Sequence, residues 1–246
     1  MKVYLQVNNK GLPLDYDHFN AAYGFREMGF EIVEFETYDT LKKSEINDVI
    51  VGYSGPIETR LYDFGVRIPD IDYPESISGY LGRKIWKSTI NTINNNPDLW
   101  NVFVKPVRRK SFKGRVVRGV KDLIGCGATN GDQEVYVSEI LNFVSEYRVF
   151  VRYGEIADIR HYAGDWSVFP DANTIASCVE DYKEGINTYA IDFGVTDKGT
   201  TNLIEVNVSG AIGSYGLDPI MYAKFMSARW AELTGTEDEC KFLGLI

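Results

Sequence analysis

The chain has 246 residues, a formal net charge of −9, 44% hydrophobic and 25% charged residues, which is enough for a sizeable core in one large or two small domains. It contains no run of about 18 apolar residues, so no membrane-spanning helix is expected, and the acidic balance argues against nucleic-acid binding by the surface as a whole. The opening MKVYLQVNN is too short in its apolar part and too polar afterwards for a signal peptide, which makes the cytoplasm the expected location. With only His18 and His161, a histidine-based metal centre is not expected. Cys126, Cys178 and Cys240 are spaced for neither a disulfide framework nor a zinc site.

In chain order, Val3 to Val7 reads as a short apolar strand. Asp15 to Met28 has helical spacing at Phe19, Ala22, Tyr23 and Phe25, with Gly29 as its C-terminal stop. Glu31 to Phe35 alternates like a strand, and Asp48 to Val51 is a buried-type strand. The loop Gly52 to Pro56 precedes a short helix near Ile57 to Phe64. This order predicts a small α/β domain with mostly parallel pairing. Gly52 to Gly55 lacks the spacing of a phosphate loop and reads more simply as a strand-to-helix turn. Ile68 to Pro74, rich in Pro and Asp, reads as a domain linker. Gly79 to Ile93 is expected to be a helix on which Arg83 and Lys87 share a face. Together with Lys84 they would hold a polyphosphate, or form a solvated basic face.

Asn101 to Pro106 is a strand that carries Lys105. From Lys105 to Lys121 the chain has eight basic residues (Lys105, Arg108, Arg109, Lys110, Lys113, Arg115, Arg118, Lys121) and no acidic one. A hairpin tip at Ser111 to Gly114 would make this segment a lid over phosphates. A solvated strand face and a small nucleic-acid patch are the alternatives, although Phe112 alone does not supply the aromatics that base stacking needs. Glu134 to Val137 is a further strand and runs into Ser138. Glu146 to Val151 pairs through Tyr153-Gly154 with Glu155 to Tyr162. Arg148 and Arg160 lie in this pair, where an arginine needs an anion or a carboxylate such as Glu146 or Asp158. Ile175 to Tyr182 reads as a short helix, Ser209 to Gly216 as a flexible loop, and Pro219 to Leu233 as an amphipathic helix with Tyr222, Phe225 and Trp230 in the core.

Thr188 to Asn207 reads as a β-hairpin around Asp197-Lys198-Gly199. A turn centred on Lys198-Gly199 sets Asp192 opposite Glu205, Ala190 opposite Asn207, Ile191 opposite Val206 and Phe193 opposite Ile204. Asp192, Glu205 and Asn207 then share one face. Two carboxylates with Cβ atoms roughly 5 Å apart repel each other unless a hard cation lies between them. With an amide oxygen they suit Mg²⁺, which keeps water and phosphate ligands as well. An acidic wet face is the alternative, and a bulge near the turn would separate the pair.

Taken in order, FVKP with a basic glycine loop, VSEIL, EYRVFV with GEIADIR, and IDFGV…LIEVN resemble the ATP-grasp superfamily, in particular small ATP-grasp domain proteins of bacteria and phages. The resemblance covers about residues 80 to 235. It implies an α+β/α/β architecture: a pre-ATP-grasp α/β domain over 1–75, then an ATP-grasp domain over 76–246 with Mg·ATP between lobes of about 76–137 and 138–246. It further implies that Lys105, with Arg83, Lys84 or Lys87, contacts the ATP phosphates under a loop that includes Lys113. Ser138, Glu139, Ile140 and Leu141 would line adenine, and Glu146 would hold the ribose. Arg148 and Arg160, with Lys105, would serve the transferred phosphate, and Asp192, Glu205 and Asn207 would ligate Mg²⁺. The implied activity is ATP-dependent ligation of a small-molecule or peptide acid to an amine or thiol. The alternative is a non-catalytic ATP-binding sensor or scaffold. The acidic pairing around the hinge is looser than in the family, and the Lys110 to Gly114 loop has fewer glycines.

Overall fold

The computed structural model describes residues 1–107, 111–127 and 131–241. Two compact units account for the chain: Met1–Tyr80 together with the chain from Val144 on, and Leu81–Phe143.

The first unit begins with β1 (Val3–Gln6), α1 (Tyr16–Glu27), β2 (Ile32–Phe35), α2 (Tyr38–Leu41), β3 (Val49–Val51) and α3 (Ser54–Asp63). β1 lies between β2 and β3 and pairs with both in parallel, as expected for buried apolar strands joined by helices. α1 starts where the Asp15 carboxylate accepts the His18 N–H, and it ends before Gly29, whose φ of +83° suits glycine. α3 begins at Ser54, inside the stretch expected to be loop. Pro56 is tolerated there because the first turn of a helix has no intrahelical use for its N–H. The Pro/Asp-rich stretch after α3 is anchored, since the Asp72 carbonyl accepts the Val206 N–H at 3.0 Å.

The second unit holds β4 (Ile85–Thr89), α4 (Ile90–Asn95), β5 (Val102–Pro106), β6 (Arg115–Val117) and β7 (Glu134–Ser138), in the sheet order β4-β7-β5-β6. The helix expected from Gly79 to Ile93 is not formed. Ile85, Trp86 and Thr89 are better strand formers than helix formers, Gly82 sits at φ +61°, and β7 supplies an antiparallel ladder along all of β4. Arg83 and Lys87 therefore do not share a helical face. Val102, Val104, Val117, Val135 and Val137 pack with Ile90, Ile93 and Cys126 on one side of this sheet.

The first unit continues with β8 (Phe143–Arg152), β9 (Glu155–Gly164), α5 (Ala172–Asp181), β10 (Tyr189–Thr196), β11 (Thr201–Asn207) and α6 (Pro219–Thr234). The strands form a sheet in the order β11-β10-β8-β9. α6 was expected to be amphipathic, but every residue from Tyr222 to Ala231 is buried, Lys224 and Arg229 included. The Arg229 guanidinium is used internally. It donates to the carbonyls of Val208 and Thr188, which flank the β10–β11 hairpin, and to Glu232. α1 lies close on α6: a Cβ on Gly24 would come within 1.9 Å of the Pro219 carbonyl oxygen. The apolar core of this unit draws on β1, β3, α1 and α6 together, with Phe25, Ile50, Leu61, Phe225 and Trp230 among its members. Cys126, Cys178 and Cys240 are buried free thiols. Among the described residues no helix is long and apolar enough to cross a membrane.

Candidate active site

The β10–β11 hairpin turns through Asp197, Lys198 and Gly199. Thr196 N–H donates to the Thr200 carbonyl, Gly199 N–H donates to the Thr196 carbonyl, and Gly199 takes φ +79°. This loop places Phe193 opposite Leu203 instead of Ile204. A bulge then absorbs Ile204. Beyond it Asp192 faces Glu205, Ile191 faces Val206, and Ala190 faces Asn207. The shift introduced by the turn and the shift introduced by the bulge cancel, so the carboxylate pair expected from sequence is opposed in the ladder.

Asp192 is held from β8. Arg148 Nε and Nη2 each donate at 2.8 Å to its two carboxylate oxygens, and both side chains are buried. The guanidinium also lies 4.6 Å from the ring centre of Tyr215. Tyr215 in turn stacks on Tyr162 at 4.7 Å and 16°. The Tyr162 hydroxyl donates to Glu146 at 2.7 Å. Arg160 lies directly across from Arg148 in the ladder and pairs with Asp158 on its own strand. Burial pushes the Asp192 carboxyl above its ordinary value. Arg148 opposes that shift, while Glu205 and Glu146 add to it. Glu205 and Glu146 thus add negative charge around the Arg148–Asp192 pair.

The loop after β11 closes one side of this cluster and is well anchored, contrary to the expected flexibility. The Ser214 N–H and hydroxyl both donate to Asp17 at the start of α1 (2.9 and 2.6 Å), and Tyr222 donates to the Ile212 carbonyl. Asn20 reaches the Leu217 carbonyl at 2.8 Å. Gly213 sits so close that a Cβ there would lie 3.0 Å from Asp17 Oδ2 and 3.9 Å from Arg148 Nη1.

Among the described residues, no three His, Cys, Asp or Glu side chains gather into a metal cage. Asp192 faces Glu205 in the ladder, with Asn207 two residues further along β11, so hard oxygen donors occupy neighbouring positions while both Asp192 oxygens bind Arg148. Such a set suits Mg²⁺, whose remaining ligands are water and phosphate. The Asn207 side-chain oxygen already accepts the Ser209 N–H, which fixes its orientation.

In the second unit, β4, β7 and β5 bring Lys87, Tyr136 and Lys105 into one row across the sheet, on the face opposite the valine core. The Lys87 ammonium lies 5.5 Å from the Tyr136 ring centre. Gly114 approaches Phe103, which shares this face, so closely that a Cβ would sit 2.5 Å from the ring. Lys84 lies on the other side of its strand, 5.8 Å from Trp86, and the Arg83 guanidinium is 5.8 Å from the Phe143 ring. Lys113 is exposed. Arg108, Arg109 and Lys110 lie outside the described residues. Ser138 ends β7 and is buried, while Glu139 exchanges two hydrogen bonds with the backbone of Lys84. Ile140 is exposed and Leu141 half-buried. Tyr162, Tyr215 and Asp17 were not singled out from sequence. Tyr215 has one local signal, a Ser-Tyr-Gly turn that takes φ +45°.

No curated protein matches the sequence. Solved structures do match in fold. D-alanine–D-alanine ligase from Bacillus anthracis matches with a TM-score of 0.56 at 16% identity, over 95% of this chain and 97% of that one. D-cycloserine synthetase DcsG matches at 0.55 and 12%, over 94% and 100%. Macrocyclase MdnC from Microcystis aeruginosa MRC, bound with precursor peptide MdnA, matches at 0.50 and 12%, over 92% and 99%. At these identities the likeness carries the fold. Residues 80–225, more than half of the chain, match the model of the ATP-grasp domain, R2K clade family 2. The chain belongs to that family of ATP-grasp domains, and so to the ligases that use ATP with Mg²⁺.

Proposed function

We propose that the protein joins a carboxylic acid to an amine, or to a thiol, through an acyl-phosphate intermediate. The observation that carries this reading is the opposed Asp192–Glu205 pair, with Asn207 two residues along and Arg148 fixing Asp192. In the first step a carboxylate oxygen of the donor attacks the γ-phosphorus of ATP, and the bond to the β–γ bridging oxygen breaks to release ADP. In the second step the nucleophile attacks the acyl carbon and inorganic phosphate leaves.

Little covalent work falls to the protein in such chemistry; positioning and charge decide the rate. Asp192, Glu205 and Asn207 would hold Mg²⁺, which offsets phosphate charge when bound. Arg148, whose Nε and Nη2 both donate to Asp192 while Nη1 reaches the Gly213 carbonyl, acts by holding that carboxylate in place. Lys105 and Lys87, on one sheet face, are the phosphate contacts this geometry favours over Lys84 and Arg83. Ser138 to Leu141 serve adenine, and Glu146, with one oxygen committed to Tyr162, serves the ribose hydroxyls. Lys113 belongs to the covering loop. Arg160, paired with Asp158, is available beside the donor carboxylate. The structural neighbour MdnC was solved with a peptide, so peptide and small-molecule substrates both belong in the screen.

The test is ADP release from Mg·ATP on pooled amino acids and short peptides, with hydroxylamine added to trap acyl-phosphate as hydroxamate. ADP formation that requires both an acid and a nucleophile is expected. Tight binding of Mg·ATP without turnover on any pool would replace this reading with that of a nucleotide sensor or scaffold.

A further inference from the structure

The start of α1 carries a histidine that the nucleotide chemistry leaves unused. His18 Nδ1 is hydrogen-bonded to the Asp15 carboxylate, and His18 Nε2 is buried without a partner among the described residues. The imidazole is 4% exposed and stands edge-on to the Tyr53 ring, 5.0 Å between centres. Tyr53 itself is about half exposed and follows β3, and its N–H donates to Gln6 at the end of β1. Burial disfavours charge on Asp15, but hydrogen bonds from the His18 ring and backbone and from the Tyr53 side chain outweigh it and hold its pKa below the ordinary value. Asp15 is therefore ionised at neutral pH and orients the ring.

Two further observations place this dyad where a substrate is expected. The strand order β2-β1-β3 reverses at β1, and open α/β sheets take ligands outside the carboxyl ends of the strands at such a switch point. Gln6, Asp15, His18 and Tyr53 all lie at the carboxyl ends of β1 and β3. Asp17, one residue before His18, is bound to the loop that touches Arg148, with Asp17 Oδ2 and Arg148 Nη1 both within 4 Å of the Gly213 Cβ position.

We propose that this crevice receives the acceptor as a primary amine, and that His18 Nε2 takes its proton once Tyr53 turns aside. This rests on the ligase reading above. The ammonium gives one proton to Nε2, and the freed lone pair forms the C–N bond at the acyl carbon. The bond from that carbon to the phosphate oxygen breaks, and its electron pair leaves with phosphate, which takes up a second N–H proton. The third hydrogen stays on the amide.

The chain has two histidines, so ¹³C-histidine NMR separates His18 from His161. Glycinamide, a generic primary amine, should shift the His18 ring signal saturably up to 50 mM (roughly the range of weak fragment binding) and leave His161 in place. No shift, or an equal shift of both, overturns the proposal even if the ligase activity is absent. Where wild type forms hydroxamate from pooled amino acids, His18→Gln should slow amide formation with glycinamide far more than hydroxamate formation, because hydroxylamine is uncharged at neutral pH. Amide formation with glycinamide should fall by about 100-fold, the usual scale for a lost general base. Equal loss of both products, or loss of neither, overturns the catalytic role.

Discussion

Asp192 and Arg148 show how a buried ion pair depends on both members. Removing the carboxylate's partner leaves a charge stranded in a dry site, so Arg148→Ala should destabilise the first unit by about 3–5 kcal/mol, read from the urea midpoint. Glu205 is only half-buried, and Glu205→Gln should keep the fold while removing the Mg²⁺ dependence of ATP binding and turnover. Unchanged Mg²⁺ dependence would break the metal assignment. Lys105→Ala should cost about 2 kcal/mol of ATP affinity, the worth of a hydrogen bond to a charged group, measured by calorimetry. At this scale the sequence exposed what is local. Period-two alternation puts Asp192, Glu205 and Asn207 on one face, and a motif order singles out Lys105. The Arg148–Asp192 bond, 44 residues apart, and the Tyr215 stack have no spacing signal, because they depend on how β8 meets β10 and how a distant loop is tied down.

Elements obey caps and turns more simply than their sequence patterns suggest. The α5 helix is capped by Asp171, whose carboxylate accepts the Thr174 hydroxyl and N–H. Those bonds hold the Asp171 pKa below the ordinary carboxylate value. A depressed folded-state pKa means stability that is complete above the unfolded value, near 4, and is lost as pH falls through the folded one. The stability gap between wild type and Asp171→Ala should therefore be constant from neutral pH to about pH 5 and close on further acidification. In the hairpin, Gly199→Ala places a side chain at φ +79° and should destabilise by about 1 kcal/mol. The segment around β4 shows why a helical reading fails: Arg83 and Lys87 have the spacing of helix neighbours, but Ile85, Trp86 and Thr89 gain more by pairing with β7 than by turning into a helix.

At the scale of the whole molecule, the N-terminal α/β segment shares a core with α6. The sequence shows two amphipathic-looking helices about 190 residues apart and gives no sign that they pack together. Gly24 packs directly on the Pro219 backbone, where a Cβ would clash, and Gly24→Ala should force α1 from α6 at a cost of roughly 3 kcal/mol, visible as a lower thermal midpoint. A chain lacking residues 1–75 should fail to fold cooperatively, since Phe225, Tyr222 and Trp230 would lose their apolar neighbours; a sharp thermal transition for that fragment would contradict the shared core.

The thiols distribute themselves usefully between the two units. Cys126 lies in the valine core of the second and Cys240 in the main core of the first. Burial raises all three, Cys178 to about 12 and Cys240 to about 11, so none is a reactive thiolate in the native state. Each becomes reactive only when its own surroundings open. The order in which a maleimide or disulfide reagent captures them is then a built-in clock: modification of Cys126 before Cys240 means that the smaller unit breathes first, and simultaneous capture means that the molecule opens as one.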